Sequence, residues 1–214
     1  PPSVVSTHIT EVIKRHAHVL LGREETKQLI DHLKESHPIL VEEVTPDPLA
    51  IGDVQKVLAK LLREKVSIRN LPVIFETLAD FAKMTNDTDL LAEYVRQALS
   101  SQITKQYAKE DNTMTVITVS GSVEKLIAEN IQQTEHGNYL SLDPEKQQEI
   151  IINIQKEVEK LQLREETAIV LCSPAIRMYL KQLLERFLPD VVVLSYNELE
   201  PDVQVQSVGV VNVA

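Results

Sequence analysis

The hydrophobic pattern of this chain changes period once, and that change limits the architectures open to it. Val54, Val57, Leu58, Leu61 and Leu62 recur at i, i+3, i+4, i+7 and i+8, a stripe on one helix face. Leu71, Ile74, Phe75, Leu78, Phe81 and Ala82 repeat the stripe, and Leu91, Tyr94, Val95, Ala98, Leu99 and Ile103 repeat it again. Beyond Tyr107 the period disappears. Met114–Val119 is rich in β-branched residues, and Ile169–Cys172 and Val191–Leu194 are unbroken apolar runs, as in strands covered on both faces. Strand, helix and strand in succession imply a parallel unit. The chain therefore reads as an α+β multidomain protein: an N-terminal helical bundle followed by a small α/β domain with a partly parallel sheet.

Local signals set the expected boundaries. A first helix carries Ile9, Val12, Ile13, His16, Ala17 and Leu20 on one face, with Ser6 or Thr7 as its cap and Gly22 as its left-handed stop. A second runs from about Glu24 to Glu35 with Leu29, Ile30 and Leu33 inward, and Pro38 ends it before a short turn of helix over 39–43. Pro46-Asp47-Pro48 is a turn, Gly52-Asp53 opens a helix, Pro72 suits a first turn, and Asn86 or Asp87 caps the next helix. The polar stretch 108–112 is the expected domain boundary. After it, Ser120 caps a helix and Gly137-Asn138 makes a turn. Asp143-Pro144-Glu145 starts a helix reaching about Leu163, Ser173-Pro174 starts another ending near Leu188, and a last strand lies within 203–213.

Charge excludes some partners. The net charge is −10, and residues 112–214 hold 8 basic and 15 acidic side chains, a net of −7. Phosphate backbones and anionic membrane surfaces need clustered Lys and Arg, so neither fits. No apolar run nears the roughly 20 residues of a membrane helix. No basic n-region precedes an apolar h-region, so no secretory leader is expected, and the opening at Pro1-Pro2 without Met reads as a piece of a longer protein.

Catalytic and metal signals are weak. Cys172 is the one cysteine, so neither an internal disulfide nor a cysteine-rich zinc site is available. Cys172-Ser173-Pro174 lies where a parallel strand should meet a helix, and a thiol there could act as a nucleophile. A buried hydrophobe followed by a capping serine accounts for the same residues. Of the histidines, His16 and His18 are two apart and point to different helix faces, and no pair has i, i+4 metal spacing. Glu24-Glu25, Glu42-Glu43 and Glu165-Glu166 are neighbours that do not converge on one point. Five glycines and no Gly-x-x-x-x-Gly-Lys or Gly-x-Gly-x-x-Gly leave no nucleotide loop. No catalytic, cofactor or metal residue is assigned, and no small-molecule substrate is expected.

Several blocks in order carry a resemblance. Thr7–Glu25 is one. Val54–Leu58, Val66–Leu71, Ile74–Asp80, Thr88–Leu91 and Tyr94–Leu99 follow, then Leu171–Arg177 and Arg186–Glu198. Together they resemble the export-gate family of flagella and type III secretion systems, and the last block favours the flagellar branch. The resemblance implies a non-enzymatic component of protein export: a cytoplasmic portion of a membrane-integral protein at the inner face of the bacterial cell membrane. It implies that residues 1–22 end an upstream subdomain, 23–108 form a helical subdomain and 109–214 form the C-terminal α/β subdomain. It also implies a homo-oligomeric ring that receives export chaperones with their substrates and other export-apparatus proteins. The family's docking motif matches Thr7, with Ser6 and His8 beside it, and an N-capping role for Thr7 is equally open. A generic helical adaptor and a Cys172-dependent enzyme are the rival readings.

Overall fold

The computed structural model describes residues 21–214; the first predicted helix, with its Ser6 or Thr7 cap, lies outside the described residues. Among these are nine α-helices, a four-stranded parallel sheet and a two-stranded antiparallel hairpin. Contacts divide the chain into two compact units, one ending at Leu99 and one spanning Ser100–Ala214.

The first unit contains α1 (Arg23–Ser36), α2 (Pro38–Val44), α3 (Ile51–Arg63), α4 (Leu71–Phe81) and α5 (Thr88–Ala98). Gly22 does not take the left-handed conformation predicted for it. Its φ is −90°, and it sits at the N-cap of α1. Its N–H donates to the Glu25 carboxylate at 3.0 Å. A Cβ on residue 22 would lie 2.7 Å from that carboxylate, so a larger residue here would push the Glu25 side chain aside. The Asp53 carboxylate accepts the Ala50 N–H at the start of α3, and Asp87 accepts from the Asp89 and Leu90 amides at the start of α5. The predicted stripes close on one another: Val54, Val57, Leu58, Ile74, Phe75, Leu78, Leu91 and Val95 are fully buried. α5 packs on α3 and α4. Phe81 stacks on Tyr94 with ring centroids 4.1 Å apart.

The predicted third stripe is broken. It runs as one helix through Ile103 in sequence, but the chain bends at Leu99 and restarts as α6 (Ser100–Tyr107). Tertiary bonds override the periodicity here. Thr104 Oγ1 donates to the Glu198 carbonyl at 3.3 Å and accepts the Glu200 N–H at 2.9 Å. Those bonds tie α6 to the turn before β6, and by contacts α6 groups with the strands that follow it.

In the second unit the sheet order is β5-β4-β1-β6, with β1 (Thr113–Val119), β4 (Ile169–Cys172), β5 (Val192–Ser195) and β6 (Gln204–Val211). Every pairing is parallel. β4 is buried throughout and β1 almost so, as expected for strands covered on both faces. α7 (Gly121–Glu129), α8 (Pro144–Gln162) and α9 (Arg177–Glu185) supply the core with Val123, Ile127, Ile150, Ile154, Leu180 and Leu184. Ser120 caps α7 through the Val123 N–H, and Asp143 caps α8 through the Glu145 N–H.

Two local predictions differ. Ser173 does not cap a helix: Ile176 N–H bonds the Ser173 carbonyl across a tight turn, and α9 begins at Arg177. The predicted turn at Gly137-Asn138 lies two residues earlier. A hairpin of β2 (Ile131–Thr134) and β3 (Gly137–Leu140) turns through Glu135-His136, and Gly137, at φ +120°, opens the return strand. β2 is Ile-Gln-Gln-Thr and carries no apolar alternation, so its sequence gave no strand signal.

Candidate functional site

Ser6, Thr7 and His8, the predicted protein-docking residues, lie outside the described residues, as do His16 and His18. The nearest described anchor is the Leu21 carbonyl, which accepts a bond from Gln55 Nε2 of α3 at 3.2 Å.

Cys172 sits at the C-terminal end of β4 with its side chain wholly buried in the sheet–helix core. The Ser173 amide beyond it donates to the Glu124 carboxylate of α7 at 3.0 Å. A carboxylate thus faces the residue beyond Cys172, and the thiol itself is wholly buried, whereas reactive thiols are partly exposed in electropositive settings. Tyr196, on the neighbouring strand end, has its phenol pushed up, first by burial and then by the Glu124 charge.

The adjacent carboxylates separate as predicted by their neighbour spacing. Glu25 is spent on the Gly22 amide, Glu42 and Glu43 are exposed, and Glu166 pairs with Lys109 at 2.6 Å. No group of three or more His, Cys, Asp or Glu side chains among the described residues could hold a metal ion. His32, His37 and His136 are all exposed.

The most connected polar constellation is a buried ion pair. Arg177 of α9 reaches Glu198, on a 3-10 turn over Tyr196–Glu198, at 3.5 Å, and each side chain is 1% exposed. Arg177 Nη1 donates to the Val193 carbonyl at 2.9 Å, and Glu198 accepts the Ser195 N–H at 3.3 Å. One turn later on α9, Lys181 donates to the carbonyls of Pro189 and Val191. These cations fasten α9 to β5 and its flanking turns. Sequence reasoning missed the pair because Arg177 and Glu198 are 21 positions apart and neither belongs to a recognisable spacing. The pair joins α9 to the Val193 carbonyl and the Ser195 amide, as a structural clamp would.

No helix among the described residues is long and apolar enough to cross a membrane. What the second unit offers is surface: exposed Tyr139, Ile152, Leu163, Phe187 and Tyr196, set among charges that sum to −7 over residues 100–214, from 10 basic and 17 acidic side chains.

The FHIPEP family profile matches residues 1–204. The flagellar biosynthesis protein FlhA of Bacillus subtilis (strain 168) is 68% identical over 213 residues, covering 100% of this chain; the chain spans 32% of that relative's length. The fold matches the Chlamydia pneumoniae CdsV structure determined in complex with CdsO, at TM-score 0.87 and 28% identity over 99% of this chain and 62% of the other. It also matches the cryo-EM structure of nonameric EPEC SctV-C, at TM-score 0.86 and 29% identity over 97% of this chain and 62% of the other. The matches run along nearly the whole sequence and the whole described fold, and on them the chain belongs to the FHIPEP family of flagellar and type III secretion export-gate proteins.

Proposed function

We propose that this chain is part of the cytoplasmic portion of a flagellar export gate and works as a non-enzymatic scaffold. In this reading it docks export chaperones carrying their substrates, contacts other export-apparatus proteins and contributes to a homo-oligomeric ring. In this reading the membrane-integral half of the full-length protein lies outside these 214 residues. Residues 1–22 end an upstream subdomain, 23–108 are the helical subdomain and 109–214 the C-terminal α/β subdomain. Ser6, Thr7 and His8 contribute to chaperone docking.

The observation that carries the reading is the family match over residues 1–204 joined to 68% identity with a flagellar relative. Supporting it, one structural neighbour was determined with a second protein, CdsO, and another as a nonamer. The buried Cys172 favours scaffold over enzyme.

Titration calorimetry against flagellar chaperone–substrate complexes tests it, with the 214-residue chain beside the full cytoplasmic region. Binding by both, weakened at least tenfold by Thr7→Ala, supports docking at Ser6–His8. Binding by the longer protein alone moves the docking surface upstream and leaves the ring role, which sedimentation velocity then checks. Binding by neither overturns the docking assignment.

A further inference from the structure

The parallel sheet ends in two unlike edges. β5 is four residues long, mostly buried, and passes directly into the 3-10 turn. β6 is eight residues long and exposed along nearly all of it, and no strand among the described residues pairs with its outer side. Natural edge strands are blunted by charge, proline or short length. Gln204–Val211 contains no charged residue and no proline. The one protective device present is a bulge at Val208, where the register with β1 shifts between Val116 and Ile117.

The register gives the two faces of this edge different chemistry. Ile117 and Val119 belong to the core under α8, and they pair with Gly209 and Val211. That face of β6 therefore looks toward α8. A Cβ on Gly209 would meet the Glu157 carboxyl of α8, and Asn153 donates to the Asn212 carbonyl. Gln204 and Gln206 share this side through their pairing with Thr113 and Thr115. Val205 and Val210 point the other way, at 40% and 59% exposure, and the bulged Val208 is 41% exposed. Beside that face stand Glu157, under Gly209, and Glu149, which accepts the Ala214 N–H, while Glu200 and Asp202 lead into β6; against Lys146 and Lys160 these four acids leave a net charge of −2. Lys146 and Lys160 are already paired with Glu149 and Glu157.

We propose that β6 is a strand-addition site for an extended segment of a partner protein in which basic and β-branched residues alternate. Main-chain bonds to the open edge supply the affinity. Period-2 alternation places every second side chain beside the carboxylates of α8 and the others beside Val205 and Val210. Two-sided complementarity of this kind fixes the register, because a one-residue slip would set lysines on valines. The site is independent of Ser6–His8 docking, so either can fail without the other.

The test uses the whole 214-residue chain and a fluorescent eight-residue peptide alternating lysine and valine. Saturable binding is expected. It should fall at least tenfold for a glutamate–valine peptide, for the lysine peptide with alternate backbone amides methylated, and for Val210→Lys with an unchanged melting temperature. Equal binding of the methylated peptide would overturn strand addition, leaving only charge attraction, and needs no protein variant to read. Absence of binding by the parent peptide overturns the proposal. So does concentration-dependent self-association abolished by Val210→Lys, which would make a second copy the occupant.

Discussion

Replacing Glu198 by alanine should loosen the second unit by an amount the geometry sets. Glu198 and Arg177 are each 1% exposed and 3.5 Å apart. At an effective dielectric of about 20, charges at that separation attract by about 5 kcal/mol. Removing the carboxylate leaves Arg177 buried without that counter-charge, its Nη1 still bonded to the Val193 carbonyl, and breaking a buried pair in this way costs about 3–5 kcal/mol. The Ser195 amide also loses its acceptor, adding about 1 kcal/mol. Partial escape of the guanidinium toward water offsets some of this, so the expected cost of Glu198→Ala is about 3–5 kcal/mol.

The double replacement Arg177→Met with Glu198→Leu separates the cost of an orphaned charge from the worth of the pair. It removes both charges at similar volume and should recover most of the loss, ending within about 1–2 kcal/mol of the parent. Native-state hydrogen exchange at β4 and β5 amides reads both variants locally, so opening of the other unit does not blur the result. The reasoning is refuted if Glu198→Ala costs under about 1 kcal/mol, or if the double variant is less stable than the single.

Asp87→Ala removes the acceptor for the Asp89 and Leu90 amides, and should cost about 1 kcal/mol. Faster exchange at those amides is the check, and unchanged protection would show that the cap is replaced by water. The Glu149 carboxyl lies below its ordinary value of 4.5, held first by the Ala214 N–H and then by Lys146. A lowered folded-state pKa means that the contact is present above the unfolded value and is lost as pH falls through the folded one. The Ala214 amide resonance should therefore hold steady down to about pH 4.5 and shift only below it, and a midpoint above 4.5 would contradict the contact.

Most of the architecture was legible because it rests on period and caps. Asp87, Ser120 and Asp143 each cap the helix that their position announced. Continuous apolar runs marked β4 and β5 because both faces of a parallel sheet are covered. The misses share one physical origin. Leu99 interrupts a stripe with no proline or glycine, because Thr104 is drawn to Glu198 and Glu200, nearly a hundred residues away. Ser173 looks like a cap, but its amide is drawn to Glu124 of α7. β2 forms with polar residues because pairing to β3, not burial, holds it. Long-range bonds leave no local trace, so no window of sequence could report them.

The site was less legible than the fold, for a related reason. Catalysis needs particular atoms held within hydrogen-bond reach, and that demand leaves spacings in sequence. A docking scaffold needs a face, and a face is assembled from residues whose only shared property is where the fold puts them. Val205 and Val210 look like ordinary strand valines until the sheet order makes β6 terminal. Glu157 looks like a solvated helix acid until Gly209 is found beneath it. Each becomes informative only through a partner element about 50 to 90 positions away, β1 for the valines and β6 for Glu157. The same composition could bury β6 between two strands, and its lack of charge would then signify only a core. Placed at an edge, that absence leaves the outward-facing backbone groups of β6 without a neighbouring strand among the described residues, and it is the topology, not the residues, that makes strand addition there a proposal to test.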